Sequence, residues 1–487
     1  MKPMQIRQMT SRTIRVCIIL MILIGLFVVS AYAASTTKTL STNFTLINFG
    51  SSVANVHADY FKDDGSTWSA DTGNTDFTIP SNGGQAIIRQ YFDGTLTTGQ
   101  GSAVVSSDQP LGSVAQILAR GQTPTSGAYT GFSQTSNTFY VPLVMRRLST
   151  ASGLANSQIM IQNSGATSTT VDVAFIGTTS WTNTGVSIPA RSTYYYDLDT
   201  ETNLSENWYG SAVVTASGSD QIVVVSNLFS GPDTMQTFNG FRAEDVGTSW
   251  VVPLFTSRLA NGLSTPIAVQ NLSGGTLGAG DVDVNCIKDA GSPGTDFSMS
   301  NTTTILNNAA YYFNPVTDMT IQAEWYGACR ITSTDGVVSF VQMRVIGGSN
   351  AAAYEAIKGD STDQNVFIPL VAKRLANGFA TAVTIQNLNE SSTASVTFTY
   401  VPSPDYTGSS SNIVVGPYTI PAGGSLIHNH RLAGTGSGTG QHNLPDEWFG
   451  SLTVSSSDQP IHGFVQLTNI IDATGDTFMA HNAFTQP

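Results

Sequence analysis

A glycine followed by a short apolar run occurs four times along the chain, and this repetition constrains the fold more than any other feature. The four copies begin at Gly101, Gly210, Gly327 and Gly450, and the last three are preceded by a Trp and a second aromatic residue. They are separated by roughly 110 to 120 residues, which is the length of a domain and too long for a solenoid repeat. The sequence therefore predicts four related domains in a row.

Two further motifs keep the same period. An apolar segment ends in an asparagine at Asn48, Asn163, Asn271 and Asn387. A Val/Ile-Pro-Leu segment precedes it at 141–143, 252–254 and 368–370, but not in the first repeat. We therefore place the repeats at 34–138, 139–247, 248–364 and 365–487, and we expect the first repeat to lack its first strand. An open strand edge there invites pairing with another chain, unless residues 34–41 cover it, which is the arrangement we favour.

Residues 1–33 have the features of a signal peptide. Four cations precede an apolar core at 16–29, and Ala31-Tyr32-Ala33 offers a cleavage site before Ala34. A retained signal anchor is the alternative, although the apolar run is short for a membrane span. We expect a secreted or cell-surface protein whose mature chain has no transmembrane segment.

The composition argues against a nucleic-acid-binding protein and against a disordered one. The net charge is −13 and only 11% of the residues are charged, which argues against a nucleic-acid partner because phosphate binding depends on Lys and Arg. Hydrophobic residues make up 40% of the chain, enough to fill cores and to argue against disorder.

The pattern inside one repeat is typical of β-structure. Residues 170–176, Thr-Val-Asp-Val-Ala-Phe-Ile, alternate apolar and polar side chains, as a strand with one buried face does. About seven such short segments separated by turn signals, within ~110 residues, indicate an antiparallel β-sandwich. The predicted fold is all-β, with four tandem immunoglobulin-like sandwiches after the signal peptide.

The two cysteines that follow the signal segment both lie in the third repeat. Cys286 falls within a predicted strand and Cys329 follows Gly327 by two residues. An even pair in one exported domain predicts a disulfide, and two free buried thiols are the alternative.

The order V-P-L, R-L-A-N-G, A-V-Q-N-L, W-Y-G-S and S-D-Q-P resembles a repeat found in tandem in secreted bacterial cell-surface proteins of uncharacterised function. The resemblance covers repeats two to four fully and the first partly. It implies a β-sandwich array outside the cell and brings no catalytic residue to this sequence. Cys286 and Cys329 depart from the general pattern and are a local addition.

The tryptophans before the glycine motif, Trp208, Trp325 and Trp448, recur at one position of the repeat. Such recurrence favours packing against each core. Stacking on a sugar is the alternative, because exposed aromatic faces serve that purpose.

Two groups of residues are candidate metal ligands. His428 and His430 flank one residue, so on a strand both point to the same face, as zinc or copper ligands do. Asp197 and Asp199 supply oxygen atoms at alternate positions, as a calcium loop does, without the glycine and the Glu of an EF-hand. Ordinary polar surface residues and loop residues are the alternatives. We expect no cofactor, with a structural Ca²⁺ ion left open.

No sequence motif for catalysis emerges from these residues, so we expect a non-enzymatic function. The leading hypothesis is an exported structural or adhesive protein, forming a stalk, sheath or fibre of the cell surface or extracellular matrix. Its partners would be components of the cell envelope or matrix, or further copies of itself. A carbohydrate-binding array is the alternative, with affinity gained from several weak sites. A secreted enzyme ranks third.

Overall fold

A computed structural model describes residues 39–119, 123–218, 222–433, 444–471 and 474–485. The predicted signal peptide lies outside these residues. Nearly all regular secondary structure of the described chain is β-strand in antiparallel sheets, which confirms the all-β prediction. One short α-helix, α1 at Thr72–Thr75, and three 3₁₀ turns at Gln90–Phe92, Leu198–Thr200 and Ala243–Asp245 accompany the strands.

The first repeat folds into two sheets. Its strands are β1 Leu40–Asn48, β2 Ala54–Lys62, β3 Asp76–Ile79, β4 Gln85–Arg89, β5 Gly101–Ser107, β6 Leu111–Ala119 and β7 Ser126–Thr130. One sheet has the order β4-β1-β6-β7, and the other has the order β3-β2-β5.

The second repeat has two five-stranded sheets. Its strands are β8 Thr138–Arg146, β9 Leu148–Thr150, β10 Gly153–Asn163, β11 Thr169–Gly177, β12 Trp181–Ile188, β13 Thr193–Asp197, β14 Trp208–Ala216, β15 Ile222–Ser230, β16 Thr234–Asn239 and β17 Phe241–Arg242. The orders are β13-β10-β15-β16, with β9 beside β10, and β12-β11-β14-β8-β17.

The third repeat joins its strands into one nine-stranded sheet through a long continuous strand, β24. Its strands are β18 Gly247–Ser257, β19 Leu263–Ser264, β20 Ile267–Asn271, β21 Val282–Lys288, β22 Phe297–Ser300, β23 Ala310–Phe313, β24 Trp325–Val345, β25 Ala351–Glu355 and β26 Ile357–Lys358. The first half of β24 pairs with β18 and β21, and the second half pairs with β20 and β25.

The fourth repeat again has two separate sheets. Its strands are β27 Asn365–Lys373, β28 Phe379–Asn387, β29 Ala394–Pro402, β30 Ile413–Ile420, β31 Ser425–Asn429, β32 Trp448–Ser456, β33 Ile461–Asn469, β34 Met479–Asn482 and β35 Phe484–Thr485. The orders are β31-β28-β33-β34 and β30-β29-β32-β27-β35.

Strand β11 shows why these segments form half-buried strands. Val171, Val173 and Phe175 are buried, whereas the residues between them are exposed or half-buried. This alternation follows from the two-residue period of a strand. Two turns between strands carry Asn-Gly, and their glycines, Gly262 and Gly378, adopt the positive φ angles that favour glycine.

The repeated asparagine has the same structural role in every repeat. The side chains of Asn48, Asn163, Asn271 and Asn387 are fully buried. Each donates Nδ2–H to backbone carbonyl oxygens of two nearby loops, and its Oδ1 accepts the N–H of the residue two positions later. A buried amide with these partners fixes both loops against the end of the strand.

The arrangement of the repeats differs from the expected row. One strand from each repeat, β7, β16, β25 and β34, lies at a common centre, and we call these the axial strands. Each axial strand contacts the next, and β34 of the last repeat contacts β7 of the first. The four repeats therefore close into a ring, which a head-to-tail interface forms when its rotation closes.

The closing contact resembles a contact inside the ring. Ser211 Oγ of the second repeat donates to the carbonyl of Asn308 in the third, and Ser451 Oγ of the fourth donates to the carbonyl of Gly83 in the first. Both serines directly follow the glycine of the repeated motif. Gln85 Nε2 also donates to the carbonyl of Pro369 across the closing interface. The same surface of the repeat therefore joins neighbours in sequence and also joins the two ends.

Candidate functional site

The structure joins the two predicted cysteines. Cys286 on β21 lies opposite Cys329 on β24, their Cα atoms are 4.1 Å apart, and their sulfur atoms form a disulfide. Both side chains are buried in the third repeat. The bond crosses two neighbouring strands of one sheet and stabilises the fold rather than forming part of an accessible site.

The three tryptophans lie inside the cores. Trp208, Trp325 and Trp448 are each 1% exposed. The indole N–H of Trp208 donates to the carbonyl of Thr179 at 2.8 Å, and that of Trp325 donates to Thr295 at 2.9 Å. Their ring faces are covered by the protein, so a glycan cannot stack on them in this conformation.

The two predicted histidine ligands also lie in a core. His428 and His430 are fully buried, and the hydroxyl of Tyr400 lies 2.9 Å from His428 Nδ1 and 3.1 Å from His430 Nε2. Thr381 Oγ1 lies 2.9 Å from His430 Nδ1, and the ring of Phe398 stacks on His428. Burial lowers the pKa of His428 to about 4. Both imidazoles thus share a hydrogen-bond network with a tyrosine.

The predicted aspartates lie at a 3₁₀ turn. Asp197 Oδ1 accepts the N–H of Asp199 at 3.0 Å, and Asp199 forms an ion pair with Arg147 at 3.5 Å. Burial raises the pKa of Asp197 above its usual value. The Arg147 guanidinium therefore supplies a positive charge beside Asp199. No group of three or more His, Cys, Asp or Glu side chains converges among the described residues.

A cavity at one end of the ring axis brings together residues from all four repeats. We call it the axial cavity; its volume is about 440 Å³. Its lining includes Phe132 from the first repeat, Asn239 and Phe241 from the second, Glu355 from the third, and Asn482 from the fourth. This cavity exists only because the ring is closed.

Glu355 is the central polar residue of the axial cavity. Its Oε1 accepts the backbone N–H of Asn239, and its Oε2 lies 3.3 Å from Nδ2 of Asn482. Nδ2 of Asn482 also donates to the carbonyl of Glu355 at 2.9 Å. Nδ2 of Asn239 in turn donates to Oγ1 of Thr130 at 2.8 Å. One hydrogen-bonded cluster thus connects the four repeats.

Burial, with a smaller contribution from the negative charge of Asp245, raises the pKa of Glu355 to about 7. Asp245 itself is paired with Arg242 at 2.7 Å. His462 also lines the cavity, and burial lowers the pKa of its imidazole to about 4. A carboxyl group that exchanges its proton near neutral pH, set among amides and aromatic rings, can hold a polar ligand or respond to pH.

The side-chain oxygens Asn239 Oδ1 and Asn482 Oδ1 are buried without a hydrogen-bond partner. They lie in the same cluster as Glu355, which in its protonated form has an O–H to donate. No sequence motif marks these residues. The one sequence feature at Glu355 is an acidic residue directly after the apolar run 351–354. This feature points to a cavity residue only when the strand is known to be axial.

A second polar cluster lies elsewhere among the axial strands. The buried carboxylate of Asp476 accepts the N–H of Met235 at 2.9 Å, of Ala351 at 3.1 Å and of Phe478 at 3.1 Å. Ser126 Oγ donates to the carbonyl of Asp476 at 3.1 Å. This aspartate therefore connects the last repeat to each of the other three.

Comparisons with known proteins give little further guidance. No protein-family model and no curated protein matches the chain. The chain is similar to the solved structure of Thermotoga maritima 1070, with 13% identity and a TM-score of 0.19, over 23% of this chain and 98% of that one. It is also similar to a tetra-tandem repeat in the extending region of a large adhesion protein, with 10% identity and a TM-score of 0.10, over 94% and 97% of the two chains. Both similarities are too low to carry an argument.

Within the described residues, no helix has the length and apolar character needed to cross a membrane.

Proposed function

We propose that this chain is an exported, non-enzymatic structural or adhesive protein of the cell surface or extracellular matrix, built from four immunoglobulin-like sandwiches closed into a ring. The signal-like segment at 1–33 supports export, and the polar, weakly charged composition suits an extracellular β-protein. The closed ring makes this a compact building block rather than a long stalk.

The contact between the first and last repeats is the observation that carries this proposal. Closure places four related sandwiches around one axis, so the same type of outward surface is presented in four directions. Several weak contacts presented together give strong attachment without a deep binding site. The buried polar residues that the repeats share, such as Asn163 and Asn387, hold loops in place.

Carbohydrate binding is a second candidate, and the axial cavity favours it. Phe132 and Phe241 stand there beside the amide of Asn239 and the carboxyl of Glu355, a combination of apolar and hydrogen-bonding groups that suits a sugar. The buried tryptophans do not take part. If the protein binds carbohydrate at this cavity, the ring binds one glycan at its axis and not several glycans along a row of domains.

Export and adhesion are tested on producing cells and on the purified full chain. Protease treatment of intact cells should degrade the protein while leaving cytosolic markers whole, and electron microscopy should show compact rings. Beads coated with the chain should be retained on envelope or matrix material, whereas albumin-coated beads should not. Protection from protease in intact cells, or no retention of the beads, would contradict the proposal. Binding of a free glycan that is lost in Phe241→Ala would favour the second candidate.

A further inference from the structure

The four axial strands end in one polar cluster beside the axial cavity. Their last residues are Thr130, Asn239, Glu355 and Asn482, and we call these residues the axial polar cluster. A small residue follows each of them, and its backbone N–H donates to a carbonyl oxygen of the neighbouring strand in the same repeat: Gly131, Gly240, Ala356 and Ala483. The four repeats therefore place equivalent backbone positions around the cavity, and only the side chains differ.

Glu355 is the acidic member of the axial polar cluster. Its Oε1 accepts the backbone N–H of Asn239, whereas its Oε2 accepts a longer hydrogen bond of 3.3 Å from Nδ2 of Asn482. Each oxygen of a carboxylate can accept two hydrogen bonds. Oε2 can therefore accept a further bond from a donor in the cavity.

The two amides of the cluster add to the negative potential around Glu355. Nδ2 of Asn239 donates to Oγ1 of Thr130 at 2.8 Å, and Nδ2 of Asn482 donates to the carbonyl of Glu355 at 2.9 Å. These bonds fix the amides, and their Oδ1 atoms have no hydrogen-bond partner among the described residues. Asn239 lines the cavity and is only 8% exposed. Such oxygens are the negative ends of fixed dipoles, so they favour a positive charge beside the carboxylate.

The charged side chains that line the cavity leave one negative charge when Glu355 is ionised. They are two cations and three carboxylates, from Arg242, Lys358, Asp245, Asp360 and Glu355. Arg242 and Asp245 form an ion pair at 2.7 Å. His462 is neutral near pH 7, because burial lowers its pKa to about 4. A ligand with one positive charge therefore complements the cavity, whereas an anion does not.

The walls of the cavity are apolar. Phe132, Phe241 and Ile357, each two positions after the end of an axial strand, line it in the first three repeats. A volume of about 440 Å³ is sufficient for a ligand with one six-membered ring. Apolar walls suit the carbon skeleton of such a ligand, and aromatic side chains also attract an ammonium group.

We propose that the axial cavity binds a small ligand through a primary ammonium group, which donates to Oε2 of Glu355 beside the amides of Asn239 and Asn482. An ammonium group carries one positive charge and three N–H donors, so it can pair with the carboxylate and turn its other donors toward the amide oxygens. The carbon skeleton of the ligand then lies against Phe132 and Phe241. The proposal does not depend on the adhesive role, and it restricts the carbohydrate candidate to amino sugars.

Isothermal titration calorimetry of the full chain tests the proposal with cyclohexylamine and with cyclohexanol, a neutral compound of similar size. Cyclohexylamine is protonated at pH 5.5 and at pH 8.5, because alkyl amines have pKa values of about 10. Glu355 changes from protonated to ionised between these two pH values, since its pKa is about 7. We expect cyclohexylamine to bind about 30-fold more tightly at pH 8.5, the ratio of the ionised fractions, and to bind more tightly than cyclohexanol.

Glu355→Gln keeps the shape of the side chain and removes its charge. Binding of cyclohexylamine at pH 8.5 should fall about tenfold or more, and its pH dependence should disappear. Glu244→Gln is the matched control, because Glu244 is exposed and lies outside the cavity lining, and it should bind as the natural chain does. Arg242, Asp245, Lys358, Asp360 and His462 remain in both variants, so the comparison assigns the effect to Glu355.

Equal binding of cyclohexylamine and cyclohexanol, no binding of cyclohexylamine, or unchanged binding in Glu355→Gln would overturn the proposal. Circular dichroism shows whether this variant is folded, and if it is not, the pH dependence of the natural chain and the comparison with cyclohexanol decide.

Glucosamine and glucose form a second pair of probes. Binding of glucosamine without glucose would support the proposal and identify an amino sugar as the ligand. Binding of cyclohexylamine without glucosamine would support an ammonium site for an apolar amine and would contradict carbohydrate binding. Retention of coated beads is measured separately, so failure of adhesion is distinguished from failure of this site.

Discussion

A carboxylate oxygen of Asp476 accepts the backbone N–H of Met235 at 2.9 Å, although the two residues are 241 positions apart in the sequence. The other oxygen accepts the N–H of Ala351 at 3.1 Å. Hydrogen bonds to a buried charged acceptor are stronger than those between neutral groups. The carboxylate of Asp476 therefore connects the fourth repeat to the second and the third at the axis.

Replacing Asp476 with Asn should destabilise the ring markedly. The amide keeps one acceptor oxygen and turns a donor toward a buried N–H, so at least one backbone donor loses its partner. The expected loss in the free energy of unfolding is roughly 2 to 4 kcal/mol, measured by chemical denaturation. Asp335→Asn is the control, because Asp335 is exposed and its carboxylate accepts the N–H of the next residue, Gly336. Equal stability of the two variants would contradict this role of Asp476.

Glu355 should make stability depend on pH. Its pKa in the folded protein is about 7, above the usual value of 4.5. The folded state therefore holds this proton more tightly, so the resulting stability is fully present below pH 4.5 and is lost as the pH rises through 7. Its upper limit is about 3 kcal/mol.

Glu355→Gln should remove this dependence while keeping an acceptor for the N–H of Asn239. The measurement is the difference in unfolding free energy between the variant and the natural chain at pH 5 and at pH 8.5. The difference cancels the contributions of His462 and His481, whose pKa values burial lowers to about 4. A difference that is the same at both pH values would show that Glu355 does not titrate in this range.

Removing the disulfide should destabilise the third repeat. The bond closes a segment with a sequence separation of 43, which corresponds to about 4 kcal/mol in the chain-entropy model. The double variant Cys286→Ser and Cys329→Ser should therefore unfold at lower denaturant concentration than the natural chain. Reduction of the natural chain should produce a similar shift, whereas reduction of the double variant should change nothing. A shift on reduction in both would show that the reductant acts on the protein by another route than this disulfide.

Asn387→Ala should cost roughly 2 to 4 kcal/mol, because it removes the donor to the carbonyls of Ser392, Pro421 and the buried Ile420. Asn387→Asp keeps the acceptor for the N–H of Asn389 but not the donor, and it should also destabilise. Asn412→Ala, at an exposed loop position, is the control. The measurement is thermal unfolding of the three variants. A loss of stability in both Asn387 variants but not in Asn412→Ala would show that the effect comes from the Asn387 side chain. Full stability of Asn387→Ala would refute the shared role of the repeated asparagine.

The strand pattern, the recurrence of motifs and the cysteine pair could be predicted from the sequence. The alternating side chains of β11 indicate which face of the strand packs against the core of its repeat. The Asn-Gly pairs indicate turns in which Gly262 and Gly378 need a positive φ angle. These are local properties, because each depends on residues near in sequence. The similar spacing of the repeats showed that the chain contains related units but gave no angle between them.

The tertiary structure alone decided the ring, and with it the candidate site. Whether head-to-tail repeats form a row or a ring depends on the rotation at each interface, and that rotation is set by contacts such as Ser451 with Gly83. The serines recur after the glycine of the repeated motif, but their recurrence does not give the angle of the interface, because their partners are backbone carbonyls that any residue carries. For the same reason Glu355 and Asp476 resemble ordinary acidic residues until closure places Glu355 beside Asn239 and buries Asp476 beside Met235. Local chemistry determined the strands, whereas the geometry of the interfaces determined which polar groups meet at the axis.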